Sequence, residues 1–228
     1  MPRLPVTIVC AAALLTAGCG DDDGDDGDEA ASTAATEQAP AAGCPDVEAP
    51  AARADGGARR PRSQLDPDGR YTVVLDTSCG QIAIRLDQRT SPRTAASFAS
   101  LASSGFYDDT VFHRIVPGFV IQGGDPTGTG SGGPGYSTRD VPPGDTAYVE
   151  GTVAMAKSAA EPPGTAGSQF YIVTGADAGL PPEYAVLGKV VRGLDVVQQI
   201  GALGDPASGE AGTPLKPVVI EGATVDAA

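Results

Sequence analysis

The chain has 228 residues, 41% of them apolar, which is room for one domain of ordinary size plus a tail. A formal charge of −14, with 15 Lys and Arg against 29 acids, excludes a nucleic-acid surface, because phosphate binding needs clustered cations. The 31 Gly and 20 Pro sit largely in short clusters between apolar runs, which favours tight turns and a β-rich domain over long helices.

Residues 1–19 carry Arg3, a short apolar run and a small-residue ending, and the run is too short to span a bilayer, so they read as a secretory signal peptide. The ending Leu15-Thr16-Ala17-Gly18-Cys19 resembles the bacterial lipobox, with Leu15 one place further from the Cys than is usual. That resemblance implies lipidation of Cys19, membrane attachment through an N-terminal lipid, and a place on the outer face of the bacterial cytoplasmic membrane. An ordinary cleaved signal with an incidental Cys19 is the alternative.

Residues 20–69 read as a disordered tether. Asp21 to Glu29 holds seven acids and no apolar side chain, so it cannot bury surface to offset its ordering entropy, and its spacing does not match a calcium loop. The rest, rich in Ala, Pro and Gly, keeps no period of 2 or 3.6 residues. Cys44 and Cys79 remain beyond the signal. In an oxidising compartment they pair most simply with each other, and two free thiols are the alternative. Two cysteines and a single histidine make no metal site.

Residues 70–225 carry the folding signals. The β-rich runs Tyr71–Thr77 and Gln81–Leu86 flank Ser78-Cys79-Gly80, a hairpin pattern. Ser91 stands at a helix N-cap with Pro92 in the first turn, and Ala95, Phe98, Ala99, Leu101 and Ala102 follow at helical spacing up to Gly105. Further strands are expected at Val111–Val116, Phe119–Gly123, Thr152–Ala156, Phe170–Val173, Ala185–Val191 and Pro217–Thr224, and a second helix at Leu194–Ile200. Strands and helices do not alternate as βαβ units, so an antiparallel sheet or closed barrel is expected.

Phe112-His113-Arg114-Ile115-Val116-Pro117-Gly118-Phe119-Val120-Ile121-Gln122-Gly123-Gly124-Asp125 resembles the signature of the cyclophilins. Gly151 to Ala156, Gly167 to Ile172 and Val186 to Val190 resemble the family's later motifs, in order, and the resemblance covers Tyr71 to Thr224. It implies a mainly β fold, a closed eight-stranded antiparallel barrel capped by two α-helices, and a peptidyl-prolyl cis-trans isomerase; the chemistry requires no cofactor, and a monomer is the default expectation. It further implies Arg114, Gln122, Phe119 and His113 as catalytic residues, His113 in a secondary role. Val120, Met155, Ala156, Gln169, Tyr171, Leu180 and Tyr184 are the implied substrate contacts. Proline-containing polypeptide segments are the expected partners.

The residues themselves support this chemistry. Rotation about a peptide bond is slowed by amide resonance, with a barrier of roughly 18–20 kcal/mol. A donor that reaches the proline nitrogen as it pyramidalises stabilises the twisted amide over the planar one, and the fixed fork of Arg114 suits that task. The sequence departs from the family pattern at Gly179, where a Trp is usual, at Tyr171 for Phe, Lys157 for Asn and Tyr184 for His. Without the Trp, weak cyclosporin binding is expected. Gly128 to Gly133 spells GxGxxG, but Pro134-Gly135 blocks the helix a dinucleotide site needs, and no GxSxG elbow accompanies His113. A non-catalytic cyclophilin-like domain that binds proline segments as a chaperone or scaffold is the rival reading.

Overall fold

The computed structural model describes residues 43–228. Nine strands form one antiparallel sheet. They are β1 (Tyr71–Thr77), β2 (Gly80–Leu86), β3 (Thr110–Val111), β4 (Arg114–Val116), β5 (Val120–Gly123), β7 (Thr152–Met155), β9 (Phe170–Val173), β10 (Val186–Arg192) and β11 (Val219–Ala227), in the order β3-β11-β1-β2-β10-β7-β9-β5-β4. Strands β6 (Thr138–Arg139) and β8 (Thr165–Ala166) make a separate two-stranded ladder. Helix α1 (Pro92–Ser103), helix α2 (Leu194–Gly201) and a 3-10 turn at Pro206–Ala211 complete the fold.

The count of nine rather than eight has a local cause. The expected strand Val111–Val116 breaks at Phe112-His113: β3 pairs with β11 and β4 pairs with β5, so two residues carry the chain between the two ends of the strand order. The sheet therefore curls until its edges are consecutive in sequence. A single bridge, Val111 to Asp125, spans the seam. Curling on this scale also removes long open edges.

The β1–β2 hairpin turns at Ser78-Cys79 in the register Thr77 to Gly80. At Gly188 the two strands β10 and β2 come so close that a Cβ would lie 2.0 Å from the Arg85 carbonyl oxygen, which explains a glycine mid-strand. One face of the sheet meets both helices over a core that includes Val73, Leu75, Ile82, Ile84, Phe98, Leu101, Ile115, Ile121, Ile172, Leu187, Val197 and Ile200. Phe98, Tyr107 and Phe112 each pack edge to face on Phe170 within it: Phe98 to Phe170 is 5.3 Å and Phe112 to Phe170 is 6.1 Å between centroids.

Helix α1 begins where expected, yet Ser91 makes no side-chain cap. Its hydroxyl is buried without a partner, and the Thr94 N–H instead donates to the Asp140 carboxylate at 2.7 Å. A group 46 residues away thus supplies the acceptor that sequence proximity assigns to Ser91.

The expected tether needs correcting for its described part. Residues 43–70 hold no strand or helix, but they lie on the domain as an ordered strap. Cys44 and Cys79 form a disulfide with a Cα–Cα distance of 4.4 Å, and Cys44, Ala58 and Leu65 pack on the core. The Arg53 guanidinium donates to the carbonyls of Gly105 and Phe106, and the Gly56 and Ala58 N–H groups donate to Gly133 and Pro134. Backbone hydrogen bonding to loops, which has no hydropathy period, fixes this segment. The signal peptide, Cys19 and the acidic run lie outside the described residues.

Candidate active site

Strand periodicity builds the site. Side chains alternate between faces, so on β4, β5, β9 and β7 the residues Ile115, Ile121, Ile172 and Val153 point into the main core. Their neighbours take the opposite face. The register sets Arg114 against Gln122, Gln122 against Tyr171 and Tyr171 against Ala154, one row running across four strands. Val116, Val120 and Val173 form the parallel row beside it.

The turn between β4 and β5 aims Phe119 at the same face. Pro117 and Gly118 occupy its centre, Gly118 with φ +69°, and the Phe119 N–H closes it on the Val116 carbonyl at 3.0 Å. The result is a groove of 570 Å³ whose lining includes Arg114, Phe119, Val120, Tyr171, Leu180 and Tyr184. A separate surface groove of 540 Å³ at Arg85, Asp87, Lys189 and Thr146 shares no residue with it and holds none of the sequence-predicted site residues.

Arg114 is held on three sides. Its Nε donates to the Glu210 carbonyl at 2.9 Å, its Nη1 to Gln122 Oε1 at 3.4 Å, and its guanidinium carbon stands 5.8 Å from the Phe119 ring centroid. Among the described residues Nη2 has no protein acceptor. Burial draws the Arg114 pKa down from its ordinary value, while the charges of Glu210 and Tyr184 oppose this. The group stays a cation. Gln122 Nε2 donates to Gln169 Oε1 at 3.0 Å, and Gln169 Nε2 donates in turn to the carbonyls of Gly130 and Gly132, both at 2.9 Å.

Three tyrosines wall the apolar end. Tyr171 and Tyr184 meet edge to face at 5.7 Å, and Tyr148 and Tyr184 at 6.0 Å. The Tyr148 hydroxyl donates to the Tyr184 carbonyl at 2.7 Å and accepts from the Tyr184 N–H at 2.9 Å. The Tyr171 hydroxyl is buried without a partner; burial first, then the neighbouring phenols, push its pKa up. Lys157, its side chain nearly fully buried, pairs with Glu183 at 3.1 Å and lies 5.3 Å from the Tyr184 ring centroid. At Gly179, next to the groove residue Leu180, an added Cβ would meet nothing within 4 Å.

The groove gathers Arg114, Phe119, Val120, Gln122, Ala156, Tyr171, Leu180 and Tyr184 from the expected set, with Gln169 bonded to its edge. Two expected residues lie elsewhere. Met155, 1% exposed, alternates into the main core while its neighbours Ala154 and Ala156 face the groove side. His113 sits under the loop after β5, its Cδ2 3.5 Å from the position of a Cβ on Gly130. Gln169 is near enough to favour its imidazolium, but the Gln169 amide oxygen already accepts from Gln122, and both imidazole nitrogens are buried without a hydrogen bond. Burial lowers the His113 pKa, against the charge of Asp125. The Ala156 N–H is already engaged by the Gln169 carbonyl at 2.9 Å.

Val116, Glu210 and Tyr148 belong to the site and were not expected from sequence. The alternation of β4 signals Val116. Glu210 has no local signal, because the Ile115 N–H to Gly212 carbonyl bond, 2.7 Å, brings its turn to Arg114 from almost 100 residues away.

The family model described as cyclophilin type peptidyl-prolyl cis-trans isomerase matches residues 72–225. The chain is 39% identical over 133 residues to a peptidyl-prolyl cis-trans isomerase-like 1 of Aspergillus fumigatus, covering 57% of this chain and 81% of that protein. It is 39% identical over 148 residues to the peptidyl-prolyl cis-trans isomerase ppi1 of Schizosaccharomyces pombe, covering 63% and 94%. A solved cyclophilin type peptidyl-prolyl cis-trans isomerase of Cryptosporidium parvum superposes with a TM-score of 0.62 at 31% identity, over 69% of this chain and 98% of that one. A second structure of that protein, in the presence of the dipeptide Ala-Pro, gives 0.60 at 30%, over 68% and 98%. Because the match spans the sheet from β1 to β11 and includes every strand that carries the groove, this chain belongs to the cyclophilin-type peptidyl-prolyl cis-trans isomerases, a family of enzymes.

Proposed function

We propose that the protein accelerates X-Pro rotation in exported or cell-surface proteins without covalent chemistry, by donating hydrogen bonds from Arg114 to the twisted prolyl amide. One observation carries this reading: a guanidinium fixed by the Glu210 carbonyl, Gln122 and Phe119 stands beside an apolar cleft with Nη2 unspent. Phe119, Val120, Tyr171 and Leu180 grip the proline ring. Gln122 and the Ala156 carbonyl hold the neighbouring peptide groups, since the Ala156 N–H is taken. A donor aimed at charge that develops only as the amide twists lowers the barrier without tightening ground-state binding.

The test is an isomerisation assay on an Ala-Pro-containing peptide. Arg114→Ala should lower kcat about 100-fold with KM little changed. Equal rates for the two proteins would leave a proline-binding scaffold. Cyclosporin should bind weakly, as Gly179 presents no side chain to the groove; nanomolar inhibition contradicts this. The location rests on the signal-like residues 1–19 ending at Cys19. Intact mass of membrane-extracted protein tests it: an acylated Cys19 supports the anchored form, and an unmodified soluble chain refutes it.

A further inference from the structure

The loop between β5 and β6 meets Gln169 beside the groove, and two sets of bonds hold it. From within, the Asp125 carboxylate accepts from the N–H groups of Thr127, Thr129, Gly130 and Gly132 at 2.6–3.2 Å. From without, the strap grips the stretch that Asp125 does not reach. Asp55 Oδ1 accepts from the Gly133 N–H at 2.7 Å, the Gly56 N–H donates to the Gly133 carbonyl at 2.9 Å, and the Ala58 N–H donates to the Pro134 carbonyl at 3.1 Å. Strap and loop meet backbone to backbone: a Cβ on Gly135 would stand 3.2 Å from the Gly56 Cα.

The far side of the same loop carries the relay to the groove. The carbonyls of Gly130 and Gly132 orient the Gln169 amide, whose oxygen accepts from the Gln122 amide N–H, and Gln122 Oε1 accepts from Arg114 Nη1. Gly132, with its N–H on Asp125 and its carbonyl on Gln169, directly precedes the Gly133 that Asp55 holds. We infer that Asp55 is a positioning residue: the strap around it fixes Gly132-Gly133, and through Gln169 sets the orientation of Gln122 against Arg114. The inference rests on the proposed role of Arg114. It gives the segment N-terminal to β1, which carries no motif, a part in the activity.

Asp55 is exposed, so its replacement leaves the fold intact. Steady-state isomerisation by the full chain should show kcat for Asp55→Ala reduced roughly fivefold with KM nearly unchanged, the scale on which one net hydrogen bond acts. Asp55→Asn, whose amide oxygen still accepts from Gly133, should restore kcat to within about twofold. The double variant Asp55→Ala/Gln169→Ala should be no slower than Gln169→Ala alone, since the relay is then already cut. The side-chain amide resonances of Gln122 and Gln169 should move in Asp55→Ala and stay in place in Asp55→Asn. An Asp55→Ala enzyme with unchanged kcat, or losses that multiply in the double variant, overturns the inference and shows that the loop is held without the Asp55 carboxylate. Arg114→Ala separates the two claims: if it is as fast as the parent chain, the role of Arg114 fails; if it is slow while Asp55→Ala is not, only the strap's role fails.

Discussion

Replacing Tyr171 by Phe should make this protein more stable. The residue is 4% exposed among Val120, Tyr148, Ala154 and Val173, and its hydroxyl finds no partner there. An uncompensated buried hydroxyl costs about 1–3 kcal/mol, because the unfolded chain hydrates it and the folded chain does not. Deleting one oxygen forfeits a few dispersion contacts at about 0.1–0.2 kcal/mol each, so the gain wins by roughly 1 kcal/mol. For a domain of this size that is a rise in Tm of about 2–4 °C. Tyr148→Phe is the control, since its hydroxyl bonds both the N–H and the carbonyl of Tyr184. It should lose about 2 kcal/mol. Calorimetry and urea titration of the two variants measure the difference, and kcat of Tyr171→Phe should be unchanged because the ring remains. A Tyr171→Phe protein less stable than the parent by 1 kcal/mol or more would show that the hydroxyl contributes a bond, and the reasoning would fail.

Reducing the Cys44–Cys79 bridge, or replacing both residues by Ala, should cost roughly 4 kcal/mol of stability by loop entropy for a separation of 35 residues. Amide exchange at Gly56 and Ala58 should quicken, and a cost below about 1 kcal/mol would mean that the bridge does not hold the strap. His113 is the only histidine, and burial holds its pKa below the ordinary value near 6.5. Above that pH it is neutral in both states; below it the unfolded chain binds a proton that the folded chain refuses. Stability should thus be flat from pH 8 to 6.5 and then fall on acidification, at most about 1.4 kcal/mol per pH unit, until the folded pKa is reached. Urea titrations of the parent and of His113→Gln test this; stability that rises as pH falls through 6 would mean the imidazolium is favoured in the fold.

The sequence was most legible where one strand–turn–strand unit carries both structure and chemistry. Arg114, Val120 and Gln122 share a short stretch whose order is recognisable and whose period of two sets their face; their spacing about the Pro117-Gly118 turn needs no distant residue. Tyr171 follows the same rule on β9. Met155 shows the limit, since a motif names neighbours without saying which of them points outward, and alternation on β7 sends it to the core.

Local sequence thus determined the β-rich class, the hairpin and both helices, because periodicity and turn chemistry act over a few positions, and the family resemblance named most of the groove residues. Only tertiary structure decided the rest: Asp140 serving α1, Glu210 meeting Arg114, and the strap bound to the glycine loop. Each is a polar contact between segments 46 to 96 residues apart. Such contacts depend on where the curl of the sheet brings backbone carbonyls and N–H groups, and those groups are the same at every position of the chain.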